Sequence, residues 1–331
     1  MGKERDLAAE FREGNIRGLA RAITLVEKRD PAVRHLLEAL QDRVQRPYVV
    51  GFTGAPGTGK STLVDCLVRL LRDRDQAVAV IAVDPNSPYS GGAILGDRIR
   101  MQRHALDSKV FIRSMGARGH LGGLSVATRE AIRLMGAFGF DVVILETVGV
   151  GQSELEVAAI ADTTVVVLTP GLGDGVQMIK AGIMEIADVF VVNKADVPGS
   201  QKTIQEIRSM LSMGPRVAWR PPIVGAVAAR NEGVDEAWKA VEAHRAHLEA
   251  SGEGRQLSEA RLKDEAADLV GEWARSEARA LLDQDAKLSE RLLHDRIPYA
   301  AADEILTRQR AELIPERARS KKKAGRIMES R

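Results

Sequence analysis

The sequence predicts an α/β fold in which helices cover both faces of a mostly parallel central sheet. From Tyr48 onward, short β-branched runs alternate with helical patterns. The seven runs are "YVVGFT", "AVAVIAV", "VFIRS", "DVVILET", "TTVVVLT", "VFVVNK" and "PIVGAVA". Most of them are apolar at successive positions, as expected of parallel strands that are buried on both faces. With 331 residues, 44% of them hydrophobic, the chain is long enough to bury such a core.

Helical extensions are predicted at both ends of the α/β region. In residues 1–46, apolar side chains recur at spacings of three and four. Residues 251–331 begin with the break "SGEG", are rich in Ala, Leu, Glu and Arg and contain no strand pattern. We therefore expect three parts: an N-terminal helical extension (1–46), an α/β domain (47–250) and a C-terminal helical extension with a basic tail (251–331).

The C-terminal extension carries an apolar helical face. Its members are Leu262, Ala266, Leu269, Val270 and Trp273. Two interpretations stay open at this point, because such a face can pack on the core of its own chain or pair with a second subunit.

Composition limits the classes of partner. Lys and Arg number 48 against 46 Asp and Glu, a net charge of +2, so no overall field favours nucleic acid or an anionic membrane. No apolar stretch approaches the roughly 20 residues of a membrane span, and the N-terminus lacks the apolar core of a signal peptide. We expect a cytoplasmic protein that binds neither nucleic acid nor membrane. Its single cysteine, Cys66, is predicted to lie in the core.

A glycine-rich segment follows the first predicted strand. The stretch "GAPGTGKS" from Gly54 to Ser61 fits the pattern G-x-x-x-x-G-K-[ST], with a strand before it and a helix after it. The glycines allow backbone N–H groups to surround a phosphate, and Lys60 neutralises charge on the β- and γ-oxygens. In loops of this kind the hydroxyl after the lysine, here that of Ser61, is expected to bind Mg²⁺. This context predicts a phosphate-binding loop, and with it a P-loop nucleoside triphosphatase fold.

A second motif indicates which base is bound. The predicted strand "VFVV" leads into Asn193-Lys194-Ala195-Asp196, which has the guanine-recognising form N-K-x-D. The Asp196 carboxylate accepts two hydrogen bonds, from the ring N–H and the exocyclic amine of guanine. Adenine offers an unmatched pattern, and a site with specific hydrogen bonds rejects a ligand that leaves its polar groups unpaired. The motif therefore favours GTP over ATP.

Carboxylates at strand ends are candidates for the metal environment. Glu146 is the next-to-last residue of the run "DVVILET", and Asp84 ends "VIAVD", at the sheet edge where open parallel sheets bind ligands. For Asp84 the alternative is an ordinary capping role. A glycine-rich stretch, "SGGAILGDRIRM", carries Asp97 and Arg98 and has a composition suited to closing over phosphates.

Together these motifs resemble the MeaB/ArgK family of P-loop GTPases. The resemblance rests on "ETVGVGQ", "AVDPNSP", "SGGAILGDRIRM", "RSMGARGHLGGLS" and "NKAD", and it extends into both helical extensions. It implies a homodimer formed through the C-terminal helices. It also implies nucleotide contacts from Gly54, Ala55, Pro56, Gly57, Thr58, Gly59, Lys60, Ser61, Thr62, Asn193, Lys194, Asp196, Val227 and Ala228. Many relatives have Ser-Ala where this chain has Val227-Ala228, a change that removes a side-chain hydroxyl contact but leaves backbone N–H contacts possible.

The resemblance further implies a metal site and three switches. Mg²⁺ would be held in an environment of Ser61, Asp84, Asp97 and Glu146. The first switch includes Asp97, and the second runs over residues 149–154. The third, through which a partner is sensed, lies in "GDGVQMIKAGIMEIAD" with Asp174, Lys180 and Glu185 as its polar members. A surface loop that leads into a helix is the alternative interpretation of this third stretch.

The chemistry expected is hydrolysis of GTP to GDP and phosphate. Lys60, Glu146 and Asp84 are the expected catalytic groups, and Gln152 is a candidate for orienting the attacking water, although a glutamine beside a glycine turn can also act as a cap. Arg98 and Arg118 are candidates for adding positive charge in the transition state, and an exposed loop residue is the alternative interpretation of each.

The family resemblance implies a nucleotide-gated chaperone of adenosylcobalamin-dependent methylmalonyl-CoA mutase, in which the cobalamin belongs to the mutase. Two alternatives stay open: a nickel-delivery GTPase, for which the usual Cys and His residues are missing, and a transport-coupled protein kinase, which N-K-x-D disfavours.

Overall fold

A single parallel sheet forms the centre of the protein. The computed structural model describes residues 2–84, 102–104, 106–116, 123–147, 153–171, 184–214 and 217–309. Within them, seven strands lie in the order β3-β2-β4-β1-β5-β6-β7, and every neighbouring pair is parallel. The strands are β1 (Tyr48–Thr53), β2 (Val78–Asp84), β3 (Val110–Gly116), β4 (Val142–Thr147), β5 (Thr163–Leu168), β6 (Val189–Val192) and β7 (Ile223–Gly225). All seven predicted strands are confirmed, and the sheet is entirely parallel.

Helices connect the strands and extend the chain at both ends. In chain order they are α1 (Gly2–Arg12), α2 (Ile16–Glu27), α3 (Ala32–Ala39), α4 (Lys60–Asp73), α5 (Gly123–Phe138), α6 (Ser153–Ile160), α7 (Met184–Ile186), α8 (Ser200–Met213), α9 (Val234–Ser251), α10 (Glu253–Gln284), α11 (Ala286–Asp295) and α12 (298–309). The predicted break at "SGEG" separates α9 from α10, where Gly252 has a φ of 76°.

Alternating side chains of the strands pack against helices on opposite faces of the sheet. One face carries α4 and α9 over side chains such as Val50, Ile144 and Val191. On the other face, α5 and α6 pack over β3, β2, β4 and β1, and α8 packs over β5 and β6. The N-terminal helices add a further layer against α5, where the rings of Phe11 and Phe138 meet edge to face at 5.6 Å. Burial on both faces explains the continuous apolar runs of the sequence.

The chain divides into two compact units, Met1–Leu262 and Lys263–Arg331. The second unit has a small core of its own, in which Leu288, Ala301 and Ile305 are buried. Leu269, Val270 and Trp273, from the apolar face predicted on α10, are exposed. The three-part division at residues 46 and 250 stays a prediction. Among the described residues, no helix is long and apolar enough to cross a membrane.

Candidate functional site

The predicted phosphate-binding loop joins the carboxyl end of β1 to the first turn of α4. Gly54, Gly57 and Gly59 have φ values of 138°, 78° and 87°, a region that side chains disfavour. A Cβ at Gly54 would lie 2.2 Å from the Val167 carbonyl oxygen of β5. Beyond Gly57 there is open space, with nothing within 4 Å of a Cβ. The loop therefore packs directly on the neighbouring strand at one glycine and faces outward at the next.

These two glycines give a matched test of the packing. Gly54→Ala combines backbone strain with a steric clash, so we expect it to lower the free energy of unfolding by about 3 kcal/mol or more. Gly57→Ala adds strain alone and should cost about 1 kcal/mol. Denaturant unfolding of both variants measures the difference, and equal losses would contradict the close contact between Gly54 and β5.

Lys60, the first residue of α4, is buried and turned toward the loop. Its Nζ donates hydrogen bonds to the carbonyl oxygens of Gly54 at 2.7 Å and Ala55 at 3.0 Å. The Thr58 hydroxyl also donates to the Ala55 oxygen, at 2.9 Å. The Lys60 ammonium group is thereby held against the backbone of the loop, at the amino end of a 14-residue helix. Both features favour an anion at this position.

Ser61 and Glu146 meet at the same edge of the sheet. The Ser61 hydroxyl donates to Glu146 Oε1 at 2.5 Å, although 85 residues separate them in the sequence. Their closeness follows from the pairing of β4 with β1, which places Glu146 opposite Phe52, just before the loop. Asp84 is the last residue of β2, the strand on the other side of β4. Two of the predicted metal ligands are therefore in contact, and the backbone of a third ends an adjacent strand.

Asn193 links the phosphate loop to the predicted base-binding loops. Its buried side chain donates from Nδ2 to the Thr58 carbonyl oxygen at 2.8 Å and accepts from the Ala228 backbone N–H at 3.1 Å. A Cβ at Gly59 would lie 2.3 Å from Asn193 Nδ2. Three segments that are far apart in sequence, at 58–59, 193 and 228, thus form one hydrogen-bonded unit. The sequence predicted a nucleotide contact for Asn193 but did not show these bonds.

Lys194 and Asp196 extend from this unit into solvent. Lys194 has a left-handed backbone, with φ of 55°, and its Nζ donates to the Gly57 carbonyl oxygen at 2.9 Å. Asp196 Oδ2 lies 3.3 Å from Nη2 of Arg230. Arg230 was missed by the sequence analysis; its position three residues after Val227, in the loop beside the base motif, was the only available signal.

A second group of polar contacts, which the sequence did not indicate, joins α4 to Arg103, His104 and Asp107. Asp65, buried on α4 one turn after Ser61, accepts hydrogen bonds from Arg103 Nε at 2.8 Å and pairs with His104 Nε2 at 2.9 Å. Burial, with lesser contributions from nearby arginines, lowers the pKa of His104. Asp107 in turn accepts from Arg72 Nε at 2.8 Å. Arg103, His104 and Asp107 are therefore attached by their side chains to the helix that begins at the phosphate loop.

Several predicted residues lie outside the described part of the chain. They are Asp97, Arg98, Arg118, Gln152, Asp174 and Lys180. Glu185, of the third predicted switch, is described and is exposed on α7. Within the described residues, no group of three or more His, Cys, Asp or Glu side chains is placed to hold a metal ion. Cys66 is buried, as predicted; burial raises the pKa of its thiol, which donates to the Ala228 oxygen at 3.3 Å.

Comparison with known proteins identifies the family. A family model described as methylmalonyl Co-A mutase-associated GTPase MeaB matches residues 19–281. The chain belongs to the MeaB family. A Pyrococcus abyssi protein whose name assigns it to the GTPases is 44% identical over 308 residues, 91% of this chain and 95% of that protein. GTPase ArgK of Escherichia coli is 42% identical over 259 residues, 75% of this chain and 77% of that protein.

A solved structure shares the fold of this MeaB-family chain. The crystal structure of a protein named LAO/AO transport system kinase aligns with a TM-score of 0.67 at 29% identity, over 94% of this chain and 98% of that one. The P-loop GTPase fold predicted from the sequence is therefore confirmed, and nucleotide binding and GTP hydrolysis are the general activities of its relatives.

Proposed function

We propose that this protein is a nucleotide-gated chaperone of an adenosylcobalamin-dependent methylmalonyl-CoA mutase, which controls cofactor loading and protects or reactivates the mutase. The observation that carries the proposal is the family match over residues 19–281, whose description names association with that mutase. GTP hydrolysis to GDP and phosphate is the reaction that would drive the gate. Adenosylcobalamin belongs to the mutase in this scheme.

In this proposal the loop from Gly54 to Thr62 binds the phosphates, and Asn193, Lys194, Asp196 and the Val227-Ala228 backbone bind the base. The hydrogen bonds of Asn193 to Thr58 and Ala228 support it, because they hold the base loops and the phosphate loop at a fixed separation. Preorganised donors and a buried ammonium stabilise charge that develops on transferring phosphoryl oxygens. Gln152 is proposed to orient the attacking water.

The residues near Ser61 fit a magnesium ion. Mg²⁺ prefers hard oxygen ligands, and the Ser61 hydroxyl and the Glu146 carboxylate converge at 2.5 Å beside the phosphate loop. We propose that these two residues hold the ion together with Asp84 and Asp97. When bound, Mg²⁺ would neutralise charge on the β- and γ-phosphate oxygens.

Ser61→Ala tests the metal assignment. Loss of one inner ligand should raise the Mg²⁺ concentration for half-maximal GTPase activity by about tenfold, since altered metal surroundings typically cost roughly 10–100-fold in affinity. GTP binding without Mg²⁺ should change little. Thr203→Ala, which removes a half-buried hydroxyl that donates to the Gly199 carbonyl oxygen in the first turn of α8, is the control. An unchanged Mg²⁺ titration would remove Ser61 from the metal site.

Gating requires that the GTP and GDP states bind the mutase with different affinities, because a ligand shifts an equilibrium only by its differential affinity. The test is calorimetric titration of the mutase with protein loaded with GDP or with a non-hydrolysable GTP analogue, combined with an assay of cofactor loading. We expect a difference in affinity of about fivefold or more, within the usual range of coupling energies. Equal affinities and a loading rate that ignores both nucleotides would refute the proposal.

Lys180→Ala tests the proposed partner-sensing role of Asp174, Lys180 and Glu185. It should leave GDP affinity unchanged and reduce the stimulation of hydrolysis by the mutase severalfold. Lys202→Ala, on the exposed side of α8, supplies the control for loss of a surface charge. If stimulation is intact in Lys180→Ala, these residues do not sense the partner.

We also propose a homodimer formed through the C-terminal region, 251–331. The exposed apolar side chains Leu269, Val270 and Trp273 on α10 support it. Sedimentation of a Val270→Glu variant should give a monomer where the wild type gives a dimer. A wild-type protein that sediments as a monomer at micromolar concentration would exclude the dimer.

A protein kinase is the second candidate function, favoured only by the name of the protein in the aligned crystal structure. Incubation with GTP or ATP radiolabelled at the γ-phosphate and a periplasmic binding protein would separate the two functions. Label in inorganic phosphate supports the GTPase chaperone, whereas label in the binding protein supports the kinase.

A further inference from the structure

The loop that follows β7 holds a cation against the carboxylate proposed to recognise guanine. Arg230 Nη2 lies 3.3 Å from Asp196 Oδ2, and Arg230 Nε lies 3.1 Å from Glu232 Oε1. One guanidinium group therefore bridges two carboxylates. The Asp196 oxygen that faces it is Oδ2.

Backbone hydrogen bonds join the two loops that carry this pair. Val227 and Glu232 form an isolated antiparallel bridge, with N···O distances of 2.9 and 3.3 Å, and the Arg230 N–H donates to the Val227 oxygen at 2.9 Å. On the other side, the Ala195 N–H donates to the Ala226 oxygen at 2.9 Å. The two loops that carry Arg230 and Asp196 are thus bonded to each other directly.

The ion pair between Arg230 and Asp196 bears on how the site distinguishes guanine from hypoxanthine. Guanine and hypoxanthine both present a ring N–H, but only guanine adds an exocyclic amine, so only guanine offers a donor to both oxygens of a carboxylate. Discrimination arises when the poorer ligand leaves a polar group of the site unpaired. If the Arg230 guanidinium stays paired with one Asp196 oxygen, that oxygen keeps a charged partner when hypoxanthine, which lacks the amine, is bound, and the loss of affinity relative to guanine is smaller.

We propose that Arg230 is a specificity-determining residue, which lowers the preference of this site for guanine over hypoxanthine nucleotides. Glu232 keeps Arg230 paired when guanine is bound, because it remains a partner for the guanidinium when the amine of guanine donates to the Asp196 oxygen. The inference rests on the proposed recognition of the base by Asp196. It assigns a new role to a residue outside the N-K-x-D motif.

The solvent exposure of the two side chains sets the size of the effect expected on nucleotide preference. The side chains of Arg230 and Asp196 are 53% and 40% exposed, and exposed ion pairs are weak. Removal of the guanidinium should therefore raise the ratio of the dissociation constants of IDP and GDP by about two- to fivefold. The ratio is the proper readout, because the loss of a positive charge changes the attraction of both diphosphates equally.

The experiment measures the dissociation constants of GDP, IDP and ADP for the full chain and for Arg230→Met by calorimetry. Arg208→Met, which removes an exposed arginine from α8, is the control and should leave the IDP-to-GDP ratio at the wild-type value. Thermal unfolding of both variants checks that they fold as the wild type does.

A ratio in Arg230→Met that is unchanged, or lower than in the wild type, overturns the inference; a lower ratio would mean that Arg230 itself favours guanine. The ADP measurement separates this failure from a failure of the proposed function. If wild-type protein binds ADP as tightly as GDP, the assignment of Asp196 to guanine is wrong. If GDP is preferred over ADP but Arg230→Met has no effect, only the role of Arg230 is wrong.

Discussion

Lys60→Ala is expected to lower kcat/KM for GTP hydrolysis by about 10²–10³-fold or more, because it removes a charged donor from the proposed site of phosphoryl transfer. Lys60 is buried and its Nζ already lies within the loop, bonded to the carbonyl oxygens of Gly54 and Ala55. Neither water nor another side chain of the loop can replace its charge. Steady-state release of phosphate measures the effect.

Lys239→Ala is the matched control for this loss. Lys239 is exposed and pairs with Asp235 one turn away on α9, so its removal should leave hydrolysis within about twofold of the wild type. Circular dichroism should show that Lys60→Ala retains its fold. Activity within about tenfold of the wild type in folded Lys60→Ala would show that another group neutralises the phosphates.

The second large effect is expected from Asp196→Asn. The substitution replaces one acceptor oxygen with a donor and removes the charge, so guanine loses one or two charge-assisted hydrogen bonds of about 1.5–3 kcal/mol each. GDP affinity should fall by about 10²-fold or more. Xanthine carries an oxygen in place of the amine of guanine, and the new amide donates to it. XDP should therefore gain affinity in the variant.

Asp235→Asn supplies the control, because the Asp235 side chain is 41% exposed and that of Asp196 is 40% exposed, and each pairs with an arginine. Its GDP affinity should match that of the wild type. Competition binding with GDP and XDP measures both variants. An Asp196→Asn protein that still prefers GDP over XDP would place base recognition elsewhere.

The central sheet could be predicted strand by strand, although β7 is shorter than its predicted run. Strands buried on both faces must be apolar at successive positions, so runs such as "TTVVVLT" and "DVVILET" are visible without any knowledge of their neighbours. In the structure, β1 begins and ends at the first and last residues of the run "YVVGFT". The phosphate loop was equally visible, because its glycines and Lys60 are adjacent in the chain and their spacing is fixed by backbone geometry.

Contacts between distant segments could not be predicted in this way. The bonds from Asn193 to Thr58 and Ala228 span 135 and 35 residues, and that between Ser61 and Glu146 spans 85. The pairing of Arg230 with Asp196 depends on the bridge between Val227 and Glu232 and on the hydrogen bond from Ala195 to Ala226. No local pattern in the chain encodes these partners.

The sequence by itself determined the α/β class, the parallel strands, the phosphate loop and the base motif, because each depends on residues that are neighbours in the chain or on a repeat of two to four positions. Only the tertiary structure decided which side chains meet at the carboxyl edge of the sheet. Strand order brings β4 and β1 together, and with them Glu146 and Ser61. That order results from packing helices on both faces at once, a property of the whole chain and of no single segment.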